Sequence, residues 1–297
     1  MPDRGSGAAS EKDHRAGFVA LLGPPNVGKS TLLNRLLGQK LAIVSPKPQT
    51  TRSRILGILT RPEAQLLLLD TPGRHRHASL LNETLNHTVD AAIRDCDVAL
   101  VILDAGRGLE ETHVQLRKDL ERAAKPYVLA ASKRDLFAGP VAGATDEDQL
   151  AIRPFSGLTG EGVPELLAAL VEHLPTSPAL YPEDDLTDRP VRWICAELIR
   201  EAVFECLQRE LPYSMAVEVI EFDEERPGRI RIRADLLVER NSQKRIVVGA
   251  GGRTVKQIGI RARTALERFL ETRVDLQLFV KEDAHWMRSA SRLRELG

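Results

Sequence analysis

A chain of 297 residues with 42% hydrophobic content is longer than one compact domain usually runs and has apolar residues enough for two ordinary cores. Its 42 basic and 42 acidic residues cancel, so net charge selects no partner and the distribution of charge must decide. Three scattered cysteines, Cys96, Cys195 and Cys206, show no Cys-x-x-Cys spacing, which argues against a disulfide framework or a zinc site and for a reducing cytoplasm.

Residues 1–15 are polar, charged and Gly/Ser-rich, with no apolar centre for a signal peptide, and read as a disordered tail. A first domain is expected over 16–175. It opens with an apolar strand, Phe18–Leu22, followed by Gly23-Pro24-Pro25-Asn26-Val27-Gly28-Lys29-Ser30 and a helix from Thr31 to Leu37 that stops at Gly38. This is the phosphate-loop pattern in the strand–loop–helix setting it needs. Gly23 and Gly28 allow backbone turns that aim successive N–H groups at phosphate oxygens, and the helix start adds its positive end. Lys29 is expected between the terminal phosphates, and the Ser30 hydroxyl on a magnesium ion. A plain glycine turn is the alternative; the complete pattern argues against it.

Leu41–Val44 leads into Ser45–Arg52, where Pro46 and Pro48 deny regular structure and predict a mobile loop. Thr51, with Thr50 second, is the expected residue to complete the magnesium shell when a third phosphate is bound. Ile55–Leu59 and Gln65–Leu69 read as strands, the latter ending in Asp70-Thr71-Pro72-Gly73. A carboxylate there, beside a phosphate loop, can hold a magnesium-bound water, and Gly73 lets a backbone N–H approach the terminal phosphate. The chemistry is thus assigned to Lys29, Thr51 and Gly73, and the metal to Ser30, Thr51 and Asp70. His75 and His77 read as part of a solvated basic loop. Arg74 stands where Ras-type GTPases carry the water-orienting glutamine, which predicts slow intrinsic hydrolysis.

Ala78–Arg94 and Glu110–Ala123 read as helices alternating with buried strands at Val98–Asp104 and Tyr127–Ala131, the signature of a parallel, doubly wound α/β sheet. Ser132-Lys133-Arg134-Asp135 follows. The Asp135 carboxylate is placed to accept two hydrogen bonds from guanine, which adenine cannot supply, and the Lys133 stem to cover the base. Val141–Asp148 reads as loop or frayed helix. Ile152–Phe155 is a short strand before Ser156-Gly157, whose backbone N–H groups are expected at the guanine carbonyl. A closing helix spans Glu161–Leu174. The proline- and acid-rich stretch 176–189 reads as a linker.

The second domain, 190–297, begins with a helix over Val191–Gln208 and two alternating strands, Ser214–Phe222 and Gly228–Glu239. A strand is expected over Arg245–Val248, then the turn Gly249-Ala250-Gly251-Gly252, a basic helix and a last strand, Arg273–Val280. A Gly-x-x-Gly turn with these flanks is the clamp of an α+β KH domain, which grips single-stranded nucleic acid by its backbone. Arg240, Lys244, Arg245, Arg253, Lys256, Arg261 and Arg263 lie in a stretch without one acid, a local basic footprint in a neutral chain. Lys244, Gly249, Ala250, Gly251, Gly252, Arg253, Lys256 and Arg261 are the candidate RNA contacts. The alternative is a glycine hairpin with a solvated basic helix.

From about Gly17 onward the chain resembles the Era family of bacterial KH-domain GTPases. The resemblance rests on Gly23–Ser30, Gln49–Arg52, Asp70–Gly73 and Ser132–Asp135. It also rests on Thr187-Asp188-Arg189 with Glu197 and Ile199-Arg200-Glu201, on Glu210–Ser214, and on Val248–Gly252 with Val255-Lys256 and Ile258-Gly259. It implies GTP hydrolysis coupled to binding the 3′ end of small-subunit ribosomal RNA, a role in 30S assembly, a cytoplasmic monomer, and peripheral contact with the membrane. In related GTPases without the glutamine the loop asparagine helps hold potassium, which assigns Asn26 that place. The sequence departs from the family at Ser132 (Asn), Gly157 (Ala) and Gly251 (a basic residue). The competing readings are a regulatory GTPase acting on a membrane or cell-cycle protein partner, and an ATP-using enzyme with an accessory domain, which Asp135 opposes.

Overall fold

The computed structural model describes residues 14–45, 47, 54–73, 80–208, 210–284 and 286. Thr50, Thr51, Arg74, His75 and His77, and residues 1–13 of the expected tail, lie outside them.

The described chain divides into two compact units, one holding residues 1–37 and 54–188, the other 38–53 and 189–297. The first is built on β1 (Arg15–Leu22), β2 (Ile55–Thr60), β3 (Ala64–Asp70), β4 (Val98–Asp104), β5 (Tyr127–Ser132) and β6 (Arg153–Pro154), in the spatial order β2-β3-β1-β4-β5-β6. β1, β3 and β4 are near-continuous apolar runs because both of their faces are covered, as parallel strands require. On one face Ala20, Leu22, Leu67, Leu69, Val101 and Leu103 pack with Val89 and Ile93 of α2 (Leu80–Asp95) and Leu116 and Leu120 of α3 (Glu111–Arg122). The other face meets α1 (Lys29–Leu37): a Cβ on Gly57 would lie 2.5 Å from Leu33 and 2.8 Å from Leu37. α4 (Asp146–Ala151) and α5 (Val163–Val171) complete the unit.

Four particulars differ from the sequence reading. The sheet is not wholly parallel: β2 runs antiparallel to β3, because only a short turn at Arg61–Glu63 joins them and a parallel pair needs a long crossover. β1 starts at Arg15, inside the expected tail, since Ala16 N–H donates to Pro175 O at 3.2 Å and Ser177 N–H to His14 O at 3.0 Å. The stretch expected as a linker groups with the first unit as far as Asp188. Gln65 is the reason: its Oε1 accepts the N–H groups of Leu180 and Tyr181 at 2.7 and 2.9 Å. And α4 is a formed helix, capped by Thr145 accepting the Asp148 N–H at 3.1 Å.

In the second unit α6 (Val191–Cys206), β7 (Met215–Asp223), β8 (Arg229–Val238), α7 (Asn241–Val248), α8 (Arg253–Leu270) and β9 (Arg273–Glu282) follow one another. The sheet order is β7-β8-β9, the first pair antiparallel and the second parallel. Ile232, Ala234 and Leu236 alternate inward from β8, and α8 answers with Ile258, Ala262 and Leu266 one turn apart. Arg245–Val248 is the end of α7 and not a strand. The β-branched run favours extension, but Gln243 boxes the helix start at Arg240 and Val247 turns fully into the core, so packing overrides propensity.

Candidate functional site

The carboxyl ends of β1, β3 and β5 bring the sequence-predicted nucleotide residues together within the first unit. Gly23 has φ 149°, and a Cβ on it would sit 2.4 Å from Ile102 O, so only glycine fits. Gly28 (φ 102°) and Asn26 (φ 60°) complete a loop that wraps the start of α1. The Lys29 ammonium donates to the loop's own Gly23 O and Pro24 O at 3.0 and 2.9 Å. Ser30 Oγ donates to Asp70 Oδ2 at 2.7 Å, so two of the expected metal ligands meet. A hydroxyl and a fully buried carboxylate are the hard oxygen donors that magnesium takes, and the residues fit that ion. Thr71 Oγ1 donates to Leu21 O at 2.7 Å and pins β3 to β1. Gly73 lies against the phosphate loop: a Cβ there would be 2.5 Å from Pro25 N.

Burial holds the Lys29 ammonium down at about 8, below its usual 10.5, against the pull of Asp70. The unfolded chain then binds more protons between pH 8 and 10.5, so this burial costs stability below pH 8 and the cost fades as pH rises to 10.5. Phosphates around Lys29 restore its charge. Titration calorimetry of GTP binding at pH 8, in buffers of differing ionisation enthalpy, is expected to show uptake of about half a proton, vanishing towards pH 6.

Ser132 braces the phosphate loop. Its buried hydroxyl lies 2.6 Å from Val27 O and 3.0 Å from Leu103 O, bridging the phosphate loop to β4. Removing it in Ser132→Ala takes away the one hydroxyl donor that reaches Val27 O, at about 1–3 kcal/mol. Dissociation of a fluorescent GDP, followed by stopped flow, is expected to quicken about tenfold. Lys133 (φ 61°) pairs with Asp104 at 2.8 Å. Burial alone would raise the Asp104 carboxyl, but the hydrogen bond from Lys133 and the Gly106 N–H overcome it and hold it low. The Arg134 guanidinium donates to Ala138 O and Gly139 O at 2.9 and 2.8 Å, which makes it a support of the loop. Asp135 is exposed, and its carboxylate has no hydrogen-bond partner among the described residues.

The Ser156 N–H turns inward on its own loop. It donates to Glu161 O at 2.8 Å, and Ser156 Oγ accepts from Leu158 and Thr159, so of the expected pair only the Gly157 N–H is left for a base carbonyl. A Cβ at Gly157 would come 3.3 Å from Thr31 Cγ2, so glycine lets this loop close on α1. Two residues escaped the sequence reading. Arg35 of α1 donates to Gly157 O at 3.2 Å and to Leu158 O, fastening the same loop. Asp104 is visible in sequence only as the acid ending β4.

In the second unit Gly249, Gly251 and Gly252 have φ of 72°, 59° and 77°, and nothing lies within 4 Å of a Cβ at Gly251 or Gly252. The turn from α7 to α8 is thus open for a phosphate at the positive end of an 18-residue helix. Arg253, Lys256 and Arg261 are exposed along α8, and Lys244 is half-buried on α7. Arg253 Nε donates back to Ala250 O at 3.2 Å, and Arg261 pairs with Glu205 at 2.9 Å.

Comparison with known proteins matches this division. Residues 18–133 match the family model described as 50S ribosome-binding GTPase, and residues 210–286 the model of the KH domain. GTPase Era of Nitratidesulfovibrio vulgaris is 42% identical, covering 97% of this chain and 98% of its own, and that of Geobacter metallireducens is 43% identical, covering 97% and 99%. Among solved structures, Era in complex with MgGDPNP and nucleotides 1506–1542 of 16S ribosomal RNA aligns with a TM-score of 0.87 at 34% identity, over 96% of this chain and 99% of that one. A point variant of Aquifex aeolicus Era bound to GDP.AlF4- aligns with a TM-score of 0.85 at 33% identity, over 95% and 99%.

Proposed function

The chain belongs to the Era family of GTPases, and from that premise we propose that it hydrolyses GTP while binding the 3′ end of 16S ribosomal RNA in assembly of the 30S subunit. The observation that carries this is one chain holding both a braced phosphate loop with Asp135 at its base-reading end and an open, basic Gly-x-x-Gly turn.

The parts divide the work. The loop N–H groups and Lys29 hold the terminal phosphates, the Gly73 N–H faces the transferred one, and Asp135 selects guanine. Ser30, Thr51 and Asp70, the last through a bound water, would hold a magnesium ion, which when bound would neutralise charge on the phosphates. Little covalent chemistry falls to the protein: hydrolysis rests on position and electrostatics. Arg253, Lys256, Lys244 and Arg261 contact RNA phosphates. In domain terms, the unit of residues 1–37 and 54–188 acts as the GTPase and the unit of 38–53 and 189–297 as the KH domain. The same reading makes the protein a cytoplasmic monomer that touches the inner face of the membrane. Among the described residues no helix is long and apolar enough to cross a membrane.

Asn26, exposed with φ 60°, is assigned a potassium ion beside the phosphates. GTP turnover is expected to be faster in potassium than in sodium chloride, and equal rates would remove that assignment. The function as a whole is tested by crosslinking the protein to RNA in cells and sequencing what is bound. Reads should gather at the 3′ end of 16S ribosomal RNA; an even spread, or enrichment in other transcripts, contradicts the reading.

A further inference from the structure

The loop of residues 156–161 is closed by its own hydrogen bonds. Ser156 Oγ accepts the N–H groups of Leu158 and Thr159, Ser156 O accepts the Gly160 N–H at 2.9 Å, and Glu161 O takes the Ser156 N–H at 2.8 Å. In a trans peptide the carbonyl and the N–H point in opposite directions. Ser156 O is turned into the loop towards Gly160, so the N–H of the same peptide, that of Gly157, is turned out of it. This outward N–H is the one left for a base carbonyl.

Those bonds shape the loop but do not seat it. Glycines stand at 157, 160 and 162, the last two with φ of 92° and 72°, and glycine gives up more freedom on ordering than any other residue. The seat is α1. The Gly157 backbone lies close against the turn that also carries Lys29 and Ser30: a Cβ there would be 3.3 Å from Thr31 Cγ2 and 3.4 Å from Leu32 N. One turn further along α1, the Arg35 guanidinium spans two successive carbonyls, donating from Nε to Gly157 O at 3.2 Å and from Nη2 to Leu158 O. A planar fork with donors in fixed directions holds two adjacent peptides at once, which a rotating ammonium does less well. Gly160 closes over it: a Cβ there would lie 3.8 Å from Arg35 Cζ. The helix that carries the phosphate-binding Lys29 thus also fixes the base-facing peptide, as a rod between the two ends of the ligand.

We propose that Arg35 is a positioning residue for guanine: by holding the carbonyls of Gly157 and Leu158 it aims the Gly157 N–H at the 6-carbonyl of the base. Asp135 then reads the two donors of guanine, and Arg35, through Gly157, its acceptor. This deepens the function proposed above and rests on its guanine assignment.

The test pairs a change in the protein with a change of one atom in the ligand. 6-Thio-GDP keeps both donors that face Asp135 and replaces only the 6-carbonyl oxygen by sulfur, a weaker acceptor. Affinities of GDP and 6-thio-GDP are measured by competition against a fluorescent GDP. The wild-type chain should prefer GDP by about 3- to 10-fold, the range of one neutral hydrogen bond. Arg35 is exposed, so its replacement leaves the core intact. In Arg35→Met, which keeps an unbranched stem and loses the donors, the preference should fall to within about twofold of one, while 6-thio-GDP stays within about twofold of its wild-type affinity. Arg35→Lys, whose ammonium still reaches these carbonyls, should recover part of the preference. Ser132→Ala, which loosens the phosphate loop instead, should weaken both nucleotides alike and keep their ratio. An unchanged ratio in Arg35→Met overturns the proposal, as do an equal loss of both nucleotides in that variant, a lysine no better than methionine, and a wild-type ratio of one. A wild-type chain that binds neither nucleotide would instead remove the guanine reading itself, and the proposal with it.

Discussion

Asp135→Asn is expected to lower GTP affinity by about 10³-fold and to make xanthosine triphosphate the better ligand. Asp135 leaves β5 exposed and without a hydrogen-bond partner among the described residues, so its carboxylate is available to the base. Guanine offers it two parallel donors. Each bond to a charged acceptor contributes about 1.5–3 kcal/mol, and two together account for the expected factor. The asparagine amide turns one acceptor into a donor, which meets a guanine donor head-on and suits the extra carbonyl of xanthine. The fold tolerates the change because the neighbouring contacts, Ser132 on Val27 O and Lys133 on Asp104, do not involve residue 135. Competition between the two nucleotides for a fluorescent analogue measures it directly. Unchanged preference for GTP would remove the guanine assignment.

Replacing Arg253 and Lys256 together by Glu is expected to reduce RNA affinity by more than about 100-fold at moderate salt, and to leave the GTP turnover rate of the RNA-free protein unchanged. Both side chains are exposed on the first turn of α8, next to the open glycines of the clamp, in a stretch without an acid. Each phosphate contact to a single strand carries a salt slope of about 0.7, so losing two lowers the slope of log affinity against log salt by about 1.4. Charge reversal adds repulsion beyond that loss. Fluorescence anisotropy with labelled RNA across a salt series gives both quantities. An unchanged slope means that phosphates sit elsewhere on the protein.

The candidate nucleotide site is legible in outline because its residues are local: a glycine loop, a strand-end acid and Asp135 sit in short runs whose spacing is visible. What escaped depended on the third dimension. The antiparallel course of β2 was hidden because an apolar run such as Ile55–Leu59 fits either direction, and only the short turn after it decides. The strand expected at Arg245–Val248 followed β-branched propensity, and the core position of Val247 overruled it. The Ser156 N–H is spent on Glu161 O, a contact set by how the loop closes and not by its sequence. Arg35 looked like one more basic residue ending a helix, with nothing in sequence to show the loop carbonyls 122 and 123 residues away that it reaches. Glu197, Arg200 and Glu201 carry charges that residue type alone would place at a surface, although all three are buried and Glu197 and Arg200 satisfy each other at 2.6 Å.

The passage of Gly38–Ser53 into the second unit bears on modularity. The second unit is discontinuous in sequence: its surroundings are completed by a strip encoded between two parts of the first. A shuffled gene that joined this GTPase to a foreign RNA-binding module would bring the strip without its socket, leaving Leu41, Ala42 and Ile43 as an uncovered apolar ribbon. Changes on α6 are answerable to residues that precede them by about 160 positions.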